Sequence, residues 1–202
     1  MKKVSVVVPV YGAEKFVATT LDSLLAQTYE NFEVIIVDDA SPDGSIAICQ
    51  QYDDPRIKII HQENRGLPGA RNTGIRNSTG DYIALLDADD VWVPTKLEKH
   101  VAHLNNAPSV GISFSYSSFI DEDDNLIGLH QTPKEIWEIT PSQVLCRNPV
   151  GNGSAAVVRR EVFDDIEFMD DVHGKLEPCY FDERLRCKSA DATTSTQLID
   201  VQ

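Results

Sequence analysis

The order of hydrophobic and polar positions in the first part of the chain predicts strands and helices in alternation. Residues 4–10 are a continuous apolar run rich in valine, typical of a parallel strand covered on both faces. Apolar residues then recur at helical spacing across 16–25. The segments 32–39 and 57–60 predict two further strands on either side of a helix at 45–52. This order predicts an α/β protein with a mostly parallel sheet flanked by helices.

The pattern continues beyond residue 60 with longer polar interruptions. It predicts a Gly/Pro-rich loop at 66–69, a helix at 70–77, a strand at 82–86, a helix at 94–104, a strand at 110–116, a hairpin at the acidic turn 121–125, a short helix at 140–147 capped by Thr140, and a glycine-punctuated loop leading into a strand across 148–158. The last segment, 187–202, has no aromatic residue and no clear amphipathic period. We therefore expect a frayed tail, or a domain that stops short at its C-terminus.

Composition restricts the class of protein. The 202 residues fit one large domain or a domain and a fragment. A formal net charge of −14 disfavours nucleic acid as a partner, because phosphate backbones are bound by Lys and Arg surfaces. The four cysteines lack zinc-binding spacing, which favours thiols in a reducing cytoplasm. The N-terminal apolar run is too short for a signal peptide, and no segment reaches the roughly 20 apolar residues of a membrane span. We expect a cytoplasmic protein with no span in this chain, although a missing C-terminal segment could carry an anchor. The sequence gives no indication of the oligomeric state.

Polar residues follow three of the first four predicted strands: Tyr11 after the first, Asp39 at the end of the second, and residues 87–90 after the fourth. Ligands of open α/β sheets bind at the carboxyl ends of the strands, so these residues predict a site. No GxGxxG loop follows the first strand, and no P-loop is present. Asp87 and Asp89 form a DxD, whose carboxylates suit Mg²⁺ or Mn²⁺ with substrate phosphates, and a cation would relieve their mutual repulsion. A solvated acidic turn is the alternative.

Four segments in fixed order resemble the motifs of the family 2 glycosyltransferases, which have the GT-A fold. They read VSVVVPVYGAEKFV (4–17), VIIVDDASPDGS (34–45), NRGLPGARNTG (64–74) and GDYIALLDADD (80–90). The resemblance is dense over residues 3–93 and thinner through 154–163 and 180–186. It implies a GT-A (Rossmann-like) domain with a nucleotide-sugar-binding half at 1–93, the remainder with the acceptor side at 94–186, and an atypical tail at 187–202.

The resemblance also implies an activity: inverting, metal-dependent transfer of a sugar from a nucleoside diphosphate donor to a hydroxyl of a saccharide or other acceptor. The expected cofactor is Mn²⁺ or Mg²⁺, a UDP-sugar is the favoured donor, and polysaccharide synthesis is the setting that fits the family. Neither the donor sugar nor the acceptor follows from the sequence.

The site residues are carried over from the family's motifs. On the base side, Pro9 and Tyr11 match the lining of the base pocket, and Asp39 matches an aspartate that accepts the uracil N3–H. The alternatives are that the Tyr11 ring caps its strand and that Asp39 serves the 41–44 turn, a structural role for which Asp38 is the better candidate. Thymine presents the same N3–H as uracil, and guanine also offers donors.

On the phosphate side, Arg71 matches a basic residue near the nucleotide, with a salt bridge to Asp39 or Asp87 as its alternative role. Asp89 matches the metal ligand that bridges to the diphosphate, Asp87 is expected to contact the ribose or a metal-bound water, and Ala88 lies between them in the donor site. Asp90 is expected to face solvent or to cap the turn before Pro94. The glycines at 66, 69 and 74 are expected to allow close backbone approach, with loop flexibility as the alternative.

The catalytic base is the weakest part of the resemblance. The family's base lies in an acidic motif just after a segment such as 180–186, where this chain has Asp191 preceded by Ala190 in place of the expected glutamate. Asp191 is the candidate base, and an inactive or truncated GT-A domain that binds nucleotide and metal without transfer is the alternative. A phosphatase of the haloacid dehalogenase type, whose nucleophile also lies in a strand-end DxD, is a third hypothesis, disfavoured because that DxD normally follows an early strand.

Overall fold

The fold is described by a computed structural model over residues 1–130, 152–164, 168, 186–189 and 197–200. The strands are β1 (Val4–Val10), β2 (Phe32–Asp38), β3 (Ile57–His61), β4 (Tyr82–Leu85), β5 (Val110–Phe114), β6 (Ser117–Ile120), β7 (Leu126–His130), β8 (Ala156–Arg159), β9 (Arg186–Ser189) and β10 (Gln197–Asp200). The helices are α1 (Val17–Leu25), α2 (Ser45–Cys49), α3 (Gly66–Arg76) and α4 (Lys96–Asn106), with 3₁₀ turns at Gly153–Ala155 and Arg160–Phe163.

Seven of these strands form one sheet in the order β10-β5-β8-β4-β1-β2-β3. The four strands β3, β2, β1 and β4 are parallel, whereas β8 runs antiparallel to both of its neighbours, β4 and β5. A small antiparallel sheet, β7-β6-β9, follows β5 along the chain. The predicted α/β class with a mostly parallel sheet flanked by helices is therefore confirmed.

The register of the central strands brings their carboxyl ends to one edge of the sheet. Val10 of β1 pairs with Asp38 of β2, and Val7 of β1 pairs with Leu85 of β4. The residues that follow these strands, including Tyr11 and Asp87, therefore emerge side by side. This is the edge at which ligands of parallel α/β sheets bind.

Both faces of β1 are buried, as the continuous apolar run predicts. Val6 and Val8 belong to the larger hydrophobic cluster together with side chains of α1 and α4, whereas Val7 belongs to a smaller cluster with α3. Helix α3 lies very close to the sheet: a Cβ on Gly74 would stand 2.2 Å from Val7 Cγ1. The close approach expected of Gly74 is observed, and a larger residue there would collide with the core.

Helix α3 begins four residues earlier than the sequence predicts, so the interpretation of 66–69 as a loop is wrong. Gly66 has a φ of 70°, in the left-handed region that glycine tolerates, and it starts the helix. Pro68 fits in the first turn because the first four N–H groups of a helix have no intrahelical acceptor. The Gly/Pro-rich composition therefore marks a helix start.

The other expectations are met in part. The hairpin at 121–125 is confirmed, since β6 and β7 flank it, and the strand expected after the 148–158 loop is β8. Within 187–202, predicted to be a frayed tail or a domain that stops short, residues 187–189 and 197–200 belong to β9 and β10, which pair with β6 and β5. Backbone hydrogen bonds of this kind require no amphipathic pattern. The helix expected at 140–147 lies outside the described residues. No helix in the described ranges has the length and apolar character needed to cross a membrane.

Candidate functional site

A cleft of about 600 Å³ opens at the carboxyl edge of the sheet. Of the seven residues expected to bind the donor, all except Arg71 line it: Pro9, Tyr11, Asp39, Asp87, Ala88 and Asp89. They come from three strands and meet here because the parallel register aligns the strand ends. Tyr11 is 57% exposed, so the cleft has an exposed aromatic ring. It also has carboxylates at two strand ends, Asp39 at one and Asp87 and Asp89 at the other.

Asp39 and Asp38 divide two roles between them. Asp38 accepts hydrogen bonds from the Ser41 amide (2.8 Å) and lies 2.8 Å from the imidazole of His61, so the structural role in the turn belongs to Asp38. Asp39 is only 2% exposed, and its Oδ1 accepts from Gln62 Nε2 (2.6 Å) and the Arg65 amide (2.9 Å). Within the described chain, Oδ1 is the acceptor of both hydrogen bonds to the Asp39 carboxylate. Asp39 Oδ2 is therefore the oxygen that a ligand N–H could use.

Leu67 also lines the cleft, and sequence reasoning missed it. It is 46% exposed in the first turn of α3, unusual exposure for a large aliphatic side chain beside a ligand-sized cavity. The sequence pattern predicts a loop at 66–69, and the direction of a leucine side chain in a loop cannot be predicted. The position of Leu67 at the cleft therefore did not follow from the sequence. Asn64 and Gly66 line the same side of the cleft.

The DxD lies in a tight turn in which its members have different environments. Asp87 Oδ1 forms a 2.7 Å ion pair with Arg71 Nη2, one of the two salt bridges considered from the sequence. Asp89 is exposed and lines the cleft. The Asp90 amide donates a hydrogen bond to the Asp87 carbonyl (3.1 Å). Asp90 is only 6% exposed, so the expectation that its side chain faces solvent is wrong. The charge of Asp90 raises the pKa of the buried Lys96 against the effect of burial.

The carboxylates of the DxD suit a divalent ion that takes its other ligands from a substrate. No group of three metal-ligating side chains exists among the described residues, so a protein-only metal cage is absent from that part of the chain. Mg²⁺ and Mn²⁺ do not require such a cage, because they commonly bind one or two carboxylates together with substrate phosphates and water. Asp87 Oδ1 is paired with Arg71, and Asp89 is exposed where it lines the cleft.

Arg71 is held in a crowded position behind the DxD. A Cβ on Gly153 would stand 2.2 Å from Arg71 Nη2 and 3.0 Å from Asp87 Oδ2, so only glycine fits there without moving the ion pair. The Arg71 guanidinium also lies 5.6 Å from the Phe168 ring centroid. The sequence pattern predicts a loop leading into a strand across 148–158, but it does not indicate that Gly153 packs against this ion pair.

A buried polar network behind the turn was also missed. Lys96 is 2% exposed, and its Nζ donates to Ser115 Oγ (2.8 Å) and the Ala155 carbonyl (3.0 Å) and lies 3.3 Å from His100 Nε2. Burial lowers the pKa of Lys96 to about 7, although the charge of Asp90 opposes the shift. Burial, with a contribution from Lys96, holds the pKa of His100 well below its usual value. The helical pattern of α4 could not distinguish this lysine from its exposed neighbours.

The candidate base Asp191 lies outside the described residues. The structure therefore brings together the residues expected to bind the donor, and the base stays a prediction.

Comparison with known proteins agrees with this geometry. The family model described as glycosyl transferase family 2 matches residues 5–167. A UDP-Glc:alpha-D-GlcNAc-diphosphoundecaprenol beta-1,3-glucosyltransferase of Escherichia coli is 36% identical over 137 residues, covering 66% of this chain and 52% of the relative.

Two solved structures share the fold. S. aureus TarS in complex with UDP has a TM-score of 0.65 at 22% identity, covering 86% of this chain and 52% of that one. The mannosyltransferase PcManGT from Pyrobaculum calidifontis, in complex with GDP-Man and Mn²⁺, has a TM-score of 0.62 at 24% identity, covering 85% and 48%. These similarities confirm the GT-A fold. The chain spans about half the length of these three proteins.

Proposed function

The chain belongs to glycosyl transferase family 2, and we propose that it transfers a sugar from a nucleoside diphosphate donor, by preference a UDP-sugar, to an acceptor hydroxyl. The observation that carries the proposal is the cleft at the carboxyl edge of the sheet. It has a buried carboxylate, Asp39, on one strand end and the Asp87–Asp89 pair on another. A nucleoside diphosphate has the matching order of groups, with a hydrogen-bonding base at one end and a diphosphate that binds cations at the other.

On the base side, an ionised carboxylate only accepts hydrogen bonds, so Asp39 favours a base that offers a ring N–H. Uracil N3–H meets this requirement, whereas cytosine N3 is itself an acceptor. Gln62 and the Arg65 amide hold Oδ1, which supports a fixed orientation of the carboxylate. The exposed ring of Tyr11 is available to pack against the base.

On the phosphate side, Asp89 would hold Mn²⁺ or Mg²⁺, with Asp87 contributing directly or through water. When bound, such an ion acts as a Lewis acid that stabilises the charge of the departing diphosphate. Arg71 offsets part of the negative charge around Asp87 through its ion pair. The Mn²⁺ named in the mannosyltransferase complex and the UDP-Glc named in the E. coli relative support a metal and a nucleotide-sugar here.

The transfer itself is a displacement at the anomeric carbon. The bond from C1 to the diphosphate oxygen breaks, the acceptor oxygen bonds to C1 from the opposite face, and the hydroxyl proton passes to a carboxylate base, which inverts the configuration. We keep Asp191 as the proposed base on its sequence position alone. The acceptor is proposed to be a saccharide or another hydroxyl compound.

The decisive experiment is calorimetric titration of the wild type and Asp89→Ala with UDP, GDP, dTDP and ADP, each with and without Mn²⁺. We expect UDP to bind most tightly, in a manner that requires Mn²⁺ and is lost in Asp89→Ala. Asp53→Ala is the control, since it removes another exposed aspartate, located before β3 at the opposite edge of the sheet. Absence of nucleotide binding by the wild type would overturn the proposal for this chain.

A transfer assay with UDP-sugars and a broad panel of hydroxyl acceptors then separates an active transferase from a domain that only binds nucleotide. Release of UDP that depends on the acceptor and is lost in Asp191→Asn would support both the reaction and the base. Metal-dependent UDP binding without transfer to any acceptor would favour the binding-only alternative.

A further inference from the structure

Ser154, in the 3₁₀ turn before β8, contacts both ends of the turn that contains the DxD. Its Oγ accepts the amide N–H of Asp87 (2.9 Å), and its carbonyl accepts the indole Nε1–H of Trp92 (3.0 Å). Ser154 is 3% exposed and Trp92 is 2% exposed, so water does not replace either hydrogen bond readily. One residue, 67 positions away from Asp87 along the chain, thus bridges the start and the end of the turn.

The backbone of Ser154 is itself fixed from behind. The next carbonyl, that of Ala155, accepts a hydrogen bond from the buried Lys96 (3.0 Å), whose Nζ lies 5.3 Å from the Trp92 ring centroid. Ser115 Oγ accepts a second hydrogen bond from the same ammonium. Lys96 therefore lies against both the 3₁₀ turn that carries Ser154 and the indole that donates to the Ser154 carbonyl, and its own side chain is buried.

Other contacts hold the turn from the side of α1. Thr20 Oγ1 donates to the Ala88 carbonyl (2.9 Å), and the Trp92 amide donates to Ser23 Oγ (3.1 Å). Neither reaches Asp87. Among the hydrogen bonds of the described chain, the one to Ser154 fixes the Asp87 N–H. The side chain of the same residue, Asp87, pairs with Arg71.

We propose that Ser154 is a positioning residue that sets the backbone geometry of the Asp87–Asp89 turn and thereby its affinity for a metal–diphosphate pair. The inference rests on the proposed function of this cleft. Paired carboxylates bind an ion well only when they are held within about 0.5 Å of the required geometry by surrounding contacts. A turn that loses the anchor of its first residue samples other conformations, and the ligand must then restrict them on binding.

The chain offers a matched control for Ser154→Ala. Ser5 is also a fully buried serine, and its Oγ likewise accepts a backbone amide, that of Gly80 (2.7 Å), at the opposite edge of the same sheet. Ser154→Ala and Ser5→Ala each remove one buried acceptor of a backbone N–H, and Ser5→Ala also removes the hydrogen bond that Ser5 Oγ donates to Glu33 (2.6 Å). Both are expected to lower the melting temperature, so stability alone does not distinguish them.

The experiment titrates UDP into the wild type, Ser154→Ala and Ser5→Ala in the presence of Mn²⁺. Loss of one anchoring hydrogen bond is expected to weaken the affinity of Ser154→Ala about five- to tenfold. Ser5→Ala is expected to bind as the wild type does, and Ser154→Thr, which keeps the hydroxyl, is expected to recover most of the affinity. If Ser154→Ala does not fold, Ser154→Cys, a weaker acceptor of similar size, is expected to weaken binding about threefold.

Amide hydrogen exchange provides a readout that needs no ligand, because the Asp87 amide should exchange faster in Ser154→Ala than in Ser5→Ala. Equal UDP affinities of Ser154→Ala and Ser5→Ala, with the wild type binding UDP and Mn²⁺, would overturn this inference and leave the proposed function intact. A wild type that binds no nucleotide would overturn the proposed function, and with it the role of Ser154 in ligand affinity.

Discussion

Strand β2 has an acidic residue near each end, and Glu33 near its amino end differs from Asp39 just after its carboxyl end in hydrogen bonding. At the amino edge, Glu33 of β2 accepts hydrogen bonds from Lys3 Nζ (2.8 Å), Ser5 Oγ (2.6 Å) and the Thr79 amide (2.6 Å). At the carboxyl edge, the same strand is followed by Asp39, whose described hydrogen bonds end on one oxygen only. Asp89, after β4, is exposed in a cleft. Glu33 therefore has hydrogen-bond donors for both of its carboxylate oxygens, whereas Asp39, just after the same strand, has Oδ2 left for a ligand.

The pKa of Glu33 shows the effect of its hydrogen bonds. Burial alone would raise the pKa, but the hydrogen bonds from Lys3, Ser5 and Thr79 outweigh burial and lower it to about 2. A carboxylate stabilised to this extent by the protein contributes to folding and has little capacity left for a ligand. We infer that Glu33 at the amino edge stabilises the fold, whereas Asp39 at the carboxyl edge keeps Oδ2 for a ligand. The following predictions test this division.

The largest effect is expected from Asp39→Asn on nucleotide selectivity. Removal of the charged acceptor should weaken UDP binding by about 2 kcal/mol, because hydrogen bonds to charged groups contribute more than neutral ones. Asparagine also carries a donor, which can serve cytosine N3, so the gap between UDP and CDP should narrow. Calorimetric titration of both nucleotides with Mn²⁺ measures the change. An unaltered ratio of UDP to CDP affinity would show that Asp39 does not read the base.

The corresponding change at the amino edge is Glu33→Gln. It should lower the free energy of unfolding by about 2 kcal/mol, since a charged acceptor of several hydrogen bonds becomes neutral. The affinity for UDP and Mn²⁺ should stay at the wild-type value. Urea unfolding and calorimetry on the same preparation measure the two quantities. A substantial loss of UDP affinity in this variant would contradict the separation of the two edges.

The stability contributed by Glu33 should depend on pH with a defined sign. Its pKa is about 2 in the folded protein and near 4.5, the ordinary value of a glutamate, in the unfolded chain, so the unfolded state binds more protons between these values. The contribution is therefore fully present above pH 4.5 and is lost as the pH falls towards 2. Urea unfolding at about pH 7, 4 and 3 should show the wild type and Glu33→Gln converging at the acidic end. A constant difference at all three would refute the assignment.

The sequence predicted the carboxyl edge well because its signals are local. A strand and the residues that follow it are contiguous, so the positions of Tyr11, Asp39 and Asp87 at a common edge follow from the parallel α/β pattern. The supports of the site could not be predicted, because each joins distant segments. Ser154 reaches Asp87 across 67 positions and Lys96 reaches Ala155 across 59, and neither residue type indicates such a partner.

The smallest effect is expected from Lys2→Met, which tests whether burial or location explains the role of the amino edge. Lys2 Nζ pairs with Asp81 at 2.8 Å, but the two side chains are 53% and 40% exposed. Exposed pairs contribute little to stability, so the free energy of unfolding should stay close to the wild-type value. Asp81 also keeps its hydrogen bond from the Lys3 amide. A loss as large as that of Glu33→Gln would mean that position at the amino edge, and not the saturation of a buried carboxylate, determines its contribution to stability.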